Sequence, residues 1–187
     1  MSRTRASSPM AVVSTLILLA LASLGHAEDQ PRKIESSFSP NGGVSSTIVA
    51  ALDEAQRELD IAMYSVSTGS RAPIFQALKR ATERGVKVSM IFNKARTGAR
   101  NKQKSLALEG IGVDVRYVTK TMHEKFAIVD RALLLTGSAN WSTSADLKHS
   151  ENMQRIRAPK YVITAFRREF RLLKAKSRDF APEDFQP

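Results

Sequence analysis

The sequence predicts a single α/β domain in which helices cover both faces of a mixed β-sheet, an α/β/α sandwich. In the first half, apolar runs of strand length alternate with apolar residues at helical spacing. In the second half, three strand-length runs follow one another closely, which indicates hairpins and therefore a mixed sheet. The chain has 187 residues and no cysteine. This length provides a core without disulfides, and the composition excludes cysteine-ligated metal sites.

The N-terminal residues are typical of a secretory signal. Two arginines precede an apolar run from Met10 to Leu24, which gives way to small residues and then to an acidic pair. A membrane anchor is the alternative, but a spanning helix needs about 20 apolar residues, more than this run provides. We expect cleavage after Ala27. Residues 1–27 are then a signal peptide, and the mature protein is periplasmic or secreted, with no stable membrane insertion.

The remainder is expected to fold as one domain. Residues 28–176 contain all the predicted strands and helices, and residues 177–187 are expected to be a disordered tail. The formal net charge is +11, from 29 Lys and Arg residues against 18 Asp and Glu residues. Because only two of the positive charges precede residue 28, the mature domain is strongly basic. This charge favours a polyanionic partner.

The first predicted elements are a strand, a helix and a buried strand. The strand Lys33–Ser39 ends at a turn cluster of proline, asparagine and glycine, which also suits a helix entry at Ser45 or Ser46. Apolar residues then recur at helical spacing. The compact run Leu59–Tyr64 follows, broken by a single aspartate, and is typical of a strand buried on both faces.

The next elements repeat this alternation. A helical stripe begins at Ile74 and ends at Gly85, and residues 86–92 alternate in polarity as a strand does. The segment Asn93–Lys104 is basic and is predicted to be a loop. A further helix ends at Gly110.

The second half is predicted to be mostly strand, with one closing helix. Four segments have strand length and composition, and the residues from Val162 to Leu173 form an amphipathic helix with a basic polar face. The four strand segments are Val113–Tyr117, Lys125–Asp130, Leu133–Thr136 and Asn152–Arg157.

One segment carries most of the chemical information. Residues two apart in a strand project from the same face, so His123 and Lys125 are predicted to face one site while Glu124 faces away. An imidazole beside an ammonium suits a phosphate. The imidazole can attack phosphorus or transfer a proton, and the ammonium can stabilise the charge that builds on the phosphate oxygens.

Residues further along the chain complete this candidate site. Ser138 and Asn140 can donate hydrogen bonds to the same oxygens, and Gly137 permits a close backbone approach. Glu151 can hold the imidazole tautomer and stabilise its cationic form.

The order and spacing of these residues resemble the signature of the phospholipase D superfamily. More closely, the chain is similar to the small, single-motif bacterial endonucleases of that superfamily, from about Ile34 to Leu173. The resemblance is carried by His123, Lys125, Asp130, Gly137, Ser138, Asn140 and Glu151.

The resemblance implies a phospholipase D/nuclease-like fold and a phosphodiesterase that uses neither a metal nor another cofactor. Two such histidines act in the family, one as nucleophile and one as general acid, and His123 matches that position. Lys125 and Asn140 match phosphate-binding positions, and Ser138 is a further contact. Glu151 matches the acid that supports the histidine. Asp130 and Gly137 also belong to the signature, and both are expected to have structural roles.

The number of copies of the signature implies a homodimer. Larger members carry it twice, whereas this chain carries it once, so the resemblance implies a site on a two-fold axis to which each subunit supplies one copy. The residues support this independently, because a nucleophile and an acid are both needed and the mature chain has only His123 and His149. A pair within one chain would need the 2′-hydroxyl of RNA as its nucleophile.

Several alternatives stay open for individual residues. His149 lies in a polar stretch and is read as a solvated turn residue, with a contact to substrate as the alternative. A metal site from His123, Asp130, His149 and Glu151 is disfavoured, because Lys125 would repel a cation. Trp141 either packs the loop after its strand or stacks on a base.

The predicted substrate is nucleic acid. The favoured function is a nonspecific endonuclease that hydrolyses DNA, with RNA as a further candidate, and the alternatives are hydrolysis of phospholipid head groups and binding of nucleic acid without catalysis. Basic residues that can neutralise phosphates support the first. They are Lys94, Arg96, Arg100, Lys102 and Lys104 in the predicted loop. The basic residues of the closing helix are read as a solvated face, namely Arg167, Arg168, Arg171 and Lys174.

Overall fold

A single mixed sheet organises the computed structural model, which describes residues 33–40, 43–93 and 99–185. Eight strands and five α-helices lie in this described part of the chain. The strands are β1 (Ile34–Ser39), β2 (Glu58–Met63), β3 (Lys87–Asn93), β4 (Asp114–Val118), β5 (Lys125–Val129), β6 (Leu133–Gly137), β7 (Glu151–Arg157) and β8 (Ser177–Asp179). The helices are α1 (Gly43–Glu54), α2 (Pro73–Glu83), α3 (Ala99–Glu109), α4 (Thr143–Leu147) and α5 (Lys160–Ala175).

The strands pair in the order β1-β7-β6-β5-β2-β3-β4-β8. Strands β2, β3 and β4 are parallel to one another, since helices α2 and α3 connect them. All other neighbours are antiparallel. The predicted mixed sheet is therefore confirmed, with parallel strands from the alternating half of the sequence and hairpins from the other.

Helices cover both faces of the sheet, as predicted. Helices α1, α2 and α3 pack on one face through residues such as Ile48, Leu78 and Leu108. Helix α5 packs on the other face through Ile163 and Phe170, against a second apolar cluster. Because the sheet is covered on both sides, all five residues of β5 are buried.

The pairing registers bring five strand ends to one edge of the sheet. Met63 at the end of β2 pairs with Lys125 at the start of β5, and Ser39 at the end of β1 pairs with Glu151 at the start of β7. Gly137 at the end of β6 pairs with Met153. Residues that lie far apart in sequence therefore meet at this edge, and the candidate catalytic residues are among them.

Gly137 is required by the approach of β7. A Cβ atom at this position would lie 2.3 Å from the carbonyl oxygen of Asn152 and 3.0 Å from the Cα of Met153. Real Cβ atoms do not come this close to backbone, so a side chain would force β6 and β7 apart. The sequence predicted a close backbone approach at Gly137, and the structure shows that the approaching group is the neighbouring strand.

The basic segment predicted as a loop is partly helical. Residues 94–98, including Lys94 and Arg96, lie outside the described residues, but α3 begins at Ala99. The prediction of a loop is therefore wrong for residues 99–104. The segment has few apolar residues, and only Ser105 and Leu108 of α3 are buried, so its helical pattern is weak in sequence. Arg100 and Lys104 consequently lie one turn apart on a helix.

The prediction of a disordered tail is wrong for residues 177–185. Strand β8 pairs with residues 116–118 of β4, and a 3-10 turn follows at Pro182–Asp184. Phe180 and Phe185 are buried, and Phe185 packs edge-on against Tyr117 with ring centroids 5.4 Å apart. Burial and a hydrogen bond with Asp184 raise the pKa of Tyr117 to about 12. Phe180 and Phe185 are isolated in a polar segment, so the sequence shows no periodic pattern there. In the structure both side chains complete the hydrophobic core beside β4.

The predicted signal peptide, residues 1–27, lies outside the described residues. Within the described ranges, no helix is long and apolar enough to cross a membrane.

The C-terminal packing predicts a loss of stability in Phe180→Ala. Removing a buried phenyl ring should lower the free energy of unfolding by about 3 kcal/mol. Tyr161→Ala is the control because this side chain is 69% exposed on α5, and its change should stay within about 0.5 kcal/mol. Urea denaturation measures both. Equal midpoints for the two variants would show that the tail does not contribute to the core.

The approach of β6 to β7 predicts that Gly137→Ala is destabilising. Because the neighbouring atoms are backbone, we expect a loss of about 2 kcal/mol or more on chemical denaturation. Gly69→Ala is the matched control, since no heavy atom lies within 4 Å of a Cβ built there. If Gly137→Ala is as stable as Gly69→Ala, the close packing of these strands is not a constraint.

Candidate active site

His123 and Lys125 meet at the sheet edge where the strand ends converge. The Nζ atom of Lys125 lies 3.2 Å from Nδ1 of His123 and donates a hydrogen bond of 2.9 Å to the His123 carbonyl oxygen. Strand β5 begins at Lys125, so His123 lies in the extended segment just before it. His123 is exposed, while Lys125 is buried, 7% exposed as a residue. A ligand approaching this edge would reach the ring first and the ammonium behind it.

Burial changes the charge equilibrium of Lys125. The pKa of its ammonium is lowered because burial disfavours the charged form, and the negative charge of Glu151 opposes this effect. A phosphate bound here would stabilise the charged ammonium, as water does for an exposed lysine. Lys125 is thus placed to bind an anion strongly.

An aromatic ring supports the pair. Tyr64 follows the last residue of β2, and its ring centroid lies 4.7 Å from that of His123 with the planes at 62°. The same ring lies 5.6 Å from Nζ of Lys125. Edge-on packing of this kind restricts the imidazole orientation and favours the nearby cation.

Glu124 faces the opposite side of the sheet, as the strand periodicity predicted. It is half-buried, and its pKa is raised by burial and by the negative charge of Glu169 on α5. The carboxylate therefore belongs to the α5 side and not to the candidate site.

Ser138 and Glu151 form a hydrogen-bonded pair beside this edge. The Ser138 hydroxyl donates to one carboxylate oxygen of Glu151 and accepts a 3.0 Å hydrogen bond from the backbone N–H of Asn152. The other carboxylate oxygen of Glu151 lies 3.8 Å from Nδ1 of His149. The sequence predicts that the Ser138 hydroxyl donates a hydrogen bond to a phosphate oxygen. In this structure the hydroxyl donates to Glu151 instead.

The expected support of His123 by Glu151 is not found within the chain. In the described part of the chain, no hydrogen bond or ion pair joins Glu151 to His123. The carboxylate is instead shared between Ser138 and His149. His149 itself is exposed in a bend, as predicted, with its carbonyl oxygen accepting a hydrogen bond from Ser39.

The residues after β6 are held by backbone hydrogen bonds. Trp141 is 1% exposed, its N–H donates to the Ser65 carbonyl oxygen, and its own carbonyl accepts from the Ser67 N–H. This is the packing role predicted for Trp141. Next to it, the side-chain oxygen of Asn140 is buried and has no hydrogen-bond partner among the described residues. A buried acceptor without a partner is costly, so the Asn140 oxygen retains capacity for a hydrogen-bond donor such as a water.

Asp130 lies at the far end of β5, away from His123. Its carboxylate accepts hydrogen bonds from the backbone N–H groups of Gln56, Arg57 and Glu58 at 2.8, 2.8 and 3.0 Å. Burial alone would raise its pKa, but these hydrogen bonds dominate and lower it. Asp130 thus fixes the β5–β6 turn to the start of β2, which is a structural role.

The disfavoured metal site has no counterpart in the described residues. Asp130 is at the opposite edge of the sheet, and no group of three or more histidine, aspartate or glutamate side chains in these ranges is arranged to hold a metal ion.

Sequence reasoning missed a groove next to this site. Three segments form it, namely the residues after β2, the first turns of α3 and the start of α4, and its volume is about 550 Å³. We call it the serine groove. It is lined by Ser65, Ser67, Arg100, Asn101, Lys104, Ser142 and Ser144. The isolated serines carry no periodic signal. Contacts between the segments bring them together, among them the pairing of Val66 with Trp141 and the hydrogen bond from the Thr143 N–H to the Ser67 hydroxyl.

Comparison with known proteins places the chain in a family. Residues 48–174 match the family model described as "Cardiolipin synthase, PLD-like domain". Mitochondrial cardiolipin hydrolase of Xenopus tropicalis is 33% identical over 144 residues, which cover 74% of this chain and 66% of that protein. Phospholipase D of Rickettsia conorii is 30% identical over 122 residues, covering 65% and 60%. The chain thus matches 60–66% of the length of these relatives.

Two solved structures share the fold. Nuc from Salmonella typhimurium, a phospholipase D family member, superposes with a TM-score of 0.74 at 25% identity over 80% of this chain and 98% of that chain. NucT from Helicobacter pylori superposes with a TM-score of 0.65 at 20% identity over 79% and 100%. The family match spans more than half of the sequence and includes every residue from His123 to Glu151, so the chain belongs to the PLD-like domain family of the phospholipase D superfamily.

Proposed function

We propose that this protein is a phosphodiesterase that hydrolyses nucleic acid through a covalent phosphohistidine, without a metal ion. The observation that carries the proposal is the exposed His123 imidazole 3.2 Å from the buried ammonium of Lys125. This places a nucleophile and a fixed positive charge side by side, which is what displacement at phosphorus requires.

The first step forms a bond between a ring nitrogen of His123 and phosphorus. The P–O bond to the leaving group breaks, and the leaving oxygen takes a proton from a general acid. In the second step water attacks phosphorus, the P–N bond breaks, and the general acid, now deprotonated, accepts the proton of water. Atoms and charge therefore balance over the two steps without a further reactant.

Three side chains are proposed to bind the phosphate. Lys125 neutralises the oxygens as negative charge builds on them. Asn140 can turn its amide N–H group toward the same oxygens, and Ser138 can contribute after exchanging its hydrogen bond to Glu151 for one to the phosphate.

A second copy of the chain is proposed to supply the general acid. His149 is the only other histidine in the described ranges, and its ring faces Glu151 in an exposed bend. A two-fold arrangement places His123 of the partner subunit opposite His123. This arrangement also offers Glu151 the partner's His123 to support. Within one chain, His149 is the histidine that Glu151 contacts.

Nucleic acid is favoured as the substrate by charge. The net charge of +11 raises the local concentration of a polyanion, and the neighbouring serine groove adds two cations and several hydroxyl groups. If residues 1–27 direct export as predicted, the enzyme meets this substrate in the periplasm or outside the cell.

Phospholipid is the second candidate substrate. It is favoured by the names of two related proteins, "Mitochondrial cardiolipin hydrolase" and "Phospholipase D". A lipid head group contains the same phosphodiester, so the proposed chemistry applies to both substrates. Binding of nucleic acid without catalysis is the third candidate, but it has no need for the His123–Lys125 pair.

The proposal predicts that purified mature protein nicks plasmid DNA in the presence of a chelator. His123→Ala should abolish nicking because it removes the nucleophile, whereas His149→Ala should retain it. Gel analysis measures nicking, and parallel phosphatidylcholine vesicles report release of head group. His149→Ala is the matched control because it is an exposed histidine that the mechanism does not use.

Each alternative gives a different result in this assay. Head-group release without nicking selects the lipid substrate, and binding without either reaction selects the non-catalytic candidate. Loss of DNA cleavage in His149→Ala but not in His123→Ala would refute the assignment of the nucleophile. Sedimentation of the fully active species as a monomer would refute the shared site.

The lowered pKa of Lys125 predicts an alkaline limb in the pH profile of kcat/KM. Lysine carries its charge below its pKa, so activity should fall as the pH rises through a value lower than that of an ordinary lysine. Lys125→Arg should move this limb upward, because arginine stays charged throughout the accessible range. Steady-state rates across the alkaline range measure the shift. Lys87→Arg, on an exposed residue at the start of β3, is the control. An unchanged limb in Lys125→Arg would assign it to another group.

A further inference from the structure

The serine groove is well placed to bind an anion. Its lining contains four serines, one asparagine and two basic residues. A wider depression shares both basic residues with the groove and adds Asp146 and apolar residues such as Ile74 and Leu147. The two cations, Arg100 and Lys104, are four residues apart on α3 and therefore lie on the same side of the helix. A phosphate oxygen would thus meet hydrogen-bond donors and positive charge together.

The serine hydroxyls are oriented by the backbone. The hydroxyl oxygen of Ser67 accepts a 3.1 Å hydrogen bond from the N–H of Thr143, and that of Ser142 accepts a 3.3 Å hydrogen bond from the N–H of Ala145. A hydroxyl that accepts in this way keeps its own proton for donation. The hydroxyl oxygens of Ser142 and Ser144 lie 3.2 Å apart, so one of the two donates to the other and one proton of the pair stays available. The groove therefore presents hydroxyl donors at Ser67 and at this pair, which suit the acceptor oxygens of a phosphate.

Two chain segments connect the groove to the candidate catalytic residues. Ser65 directly follows Tyr64, whose ring packs against His123. Ser142 follows Asn140 after a single residue, and the two segments are joined by the hydrogen bond from the Trp141 N–H to the Ser65 carbonyl oxygen. A polymer with one phosphate at His123 can therefore continue along these segments into the groove.

We propose that the serine groove binds a second phosphodiester of a nucleic-acid strand, next to the one that is cleaved. This inference rests on the proposed function and specifies how that site selects a polymer. All seven lining residues of the groove are polar, which suits a sugar–phosphate backbone. Arg100 and Lys104 supply the charge, and Ser67 and the Ser142–Ser144 pair supply the hydroxyl donors.

The test compares two double variants that lose the same charge. Arg100→Gln with Lys104→Gln removes the cations of the groove. Lys79→Gln with Lys87→Gln removes two lysines that line a separate depression beside Gly85 and Gly110 at the other end of the sheet. Circular dichroism melting checks that both variants fold.

Binding is measured in a His123→Ala background so that the probe stays intact. Fluorescence anisotropy with a labelled oligothymidylate of about 15 nucleotides gives Kd at several salt concentrations. The groove variant should bind about tenfold more weakly than the control, and the slope of log K against log salt should be smaller by about 0.7, since each phosphate neutralised on a single strand contributes about 0.7 and the groove is proposed to hold one. This readout does not depend on hydrolysis, so it decides the role of the groove even if the protein proves not to be a hydrolase.

Cleavage by the chain with His123 intact provides the second readout. The groove variant should lose about tenfold more activity on the oligonucleotide than on bis(4-nitrophenyl) phosphate, which is too small to reach a second subsite. Equal Kd values for groove and control variants would overturn the inference. So would equal losses on the polymer and the small diester, or a loss confined to phosphatidylcholine vesicles.

Discussion

The close contact between the His123 imidazole and the Lys125 ammonium is the interaction on which the rest of the site depends. A lysine side chain that is 7% exposed is costly unless an anion or several acceptors compensate, and here its partners are a ring and one carbonyl oxygen. The fold holds this charge in place through β5, whose five residues are all buried. Burial of this central strand therefore positions Lys125, whose Nζ lies 3.2 Å from Nδ1 of the exposed imidazole.

The hydrogen-bond register of the sheet explains how the remaining groups reach the same edge. Gly137 lets β7 approach β6 closely, and this approach places Ser138 beside Glu151. Tyr64 directly follows β2, which is parallel to β3 and antiparallel to β5. The site therefore combines antiparallel hairpins with a strand from the alternating half of the chain. The mixed sheet thus brings Tyr64 from the alternating half of the chain against His123 and Lys125 from the hairpin half.

Much of this arrangement was predictable from sequence, for reasons that differ between residues. The alternation of side chains along a strand placed His123 and Lys125 together and Glu124 apart, and the structure agrees. The partners of Glu151 were not predictable, because they depend on which turn follows β6 and on the position of His149. Helix α4 and strand β8 were missed for another reason. They are short, and tertiary contacts such as the burial of Phe180 stabilise them more than local pattern does.

The two ends of the β5–β6 hairpin differ, because Asp130 fixes the turn at one of them. Three backbone N–H groups fix the turn at the closed end, and the opposite end carries the loops that line the serine groove and the histidine edge. Loops at the open end can therefore change in length or composition without shifting the register of the strands below them. Within such a scaffold, the loops around the exposed His123 imidazole can diverge during evolution while the imidazole keeps its place.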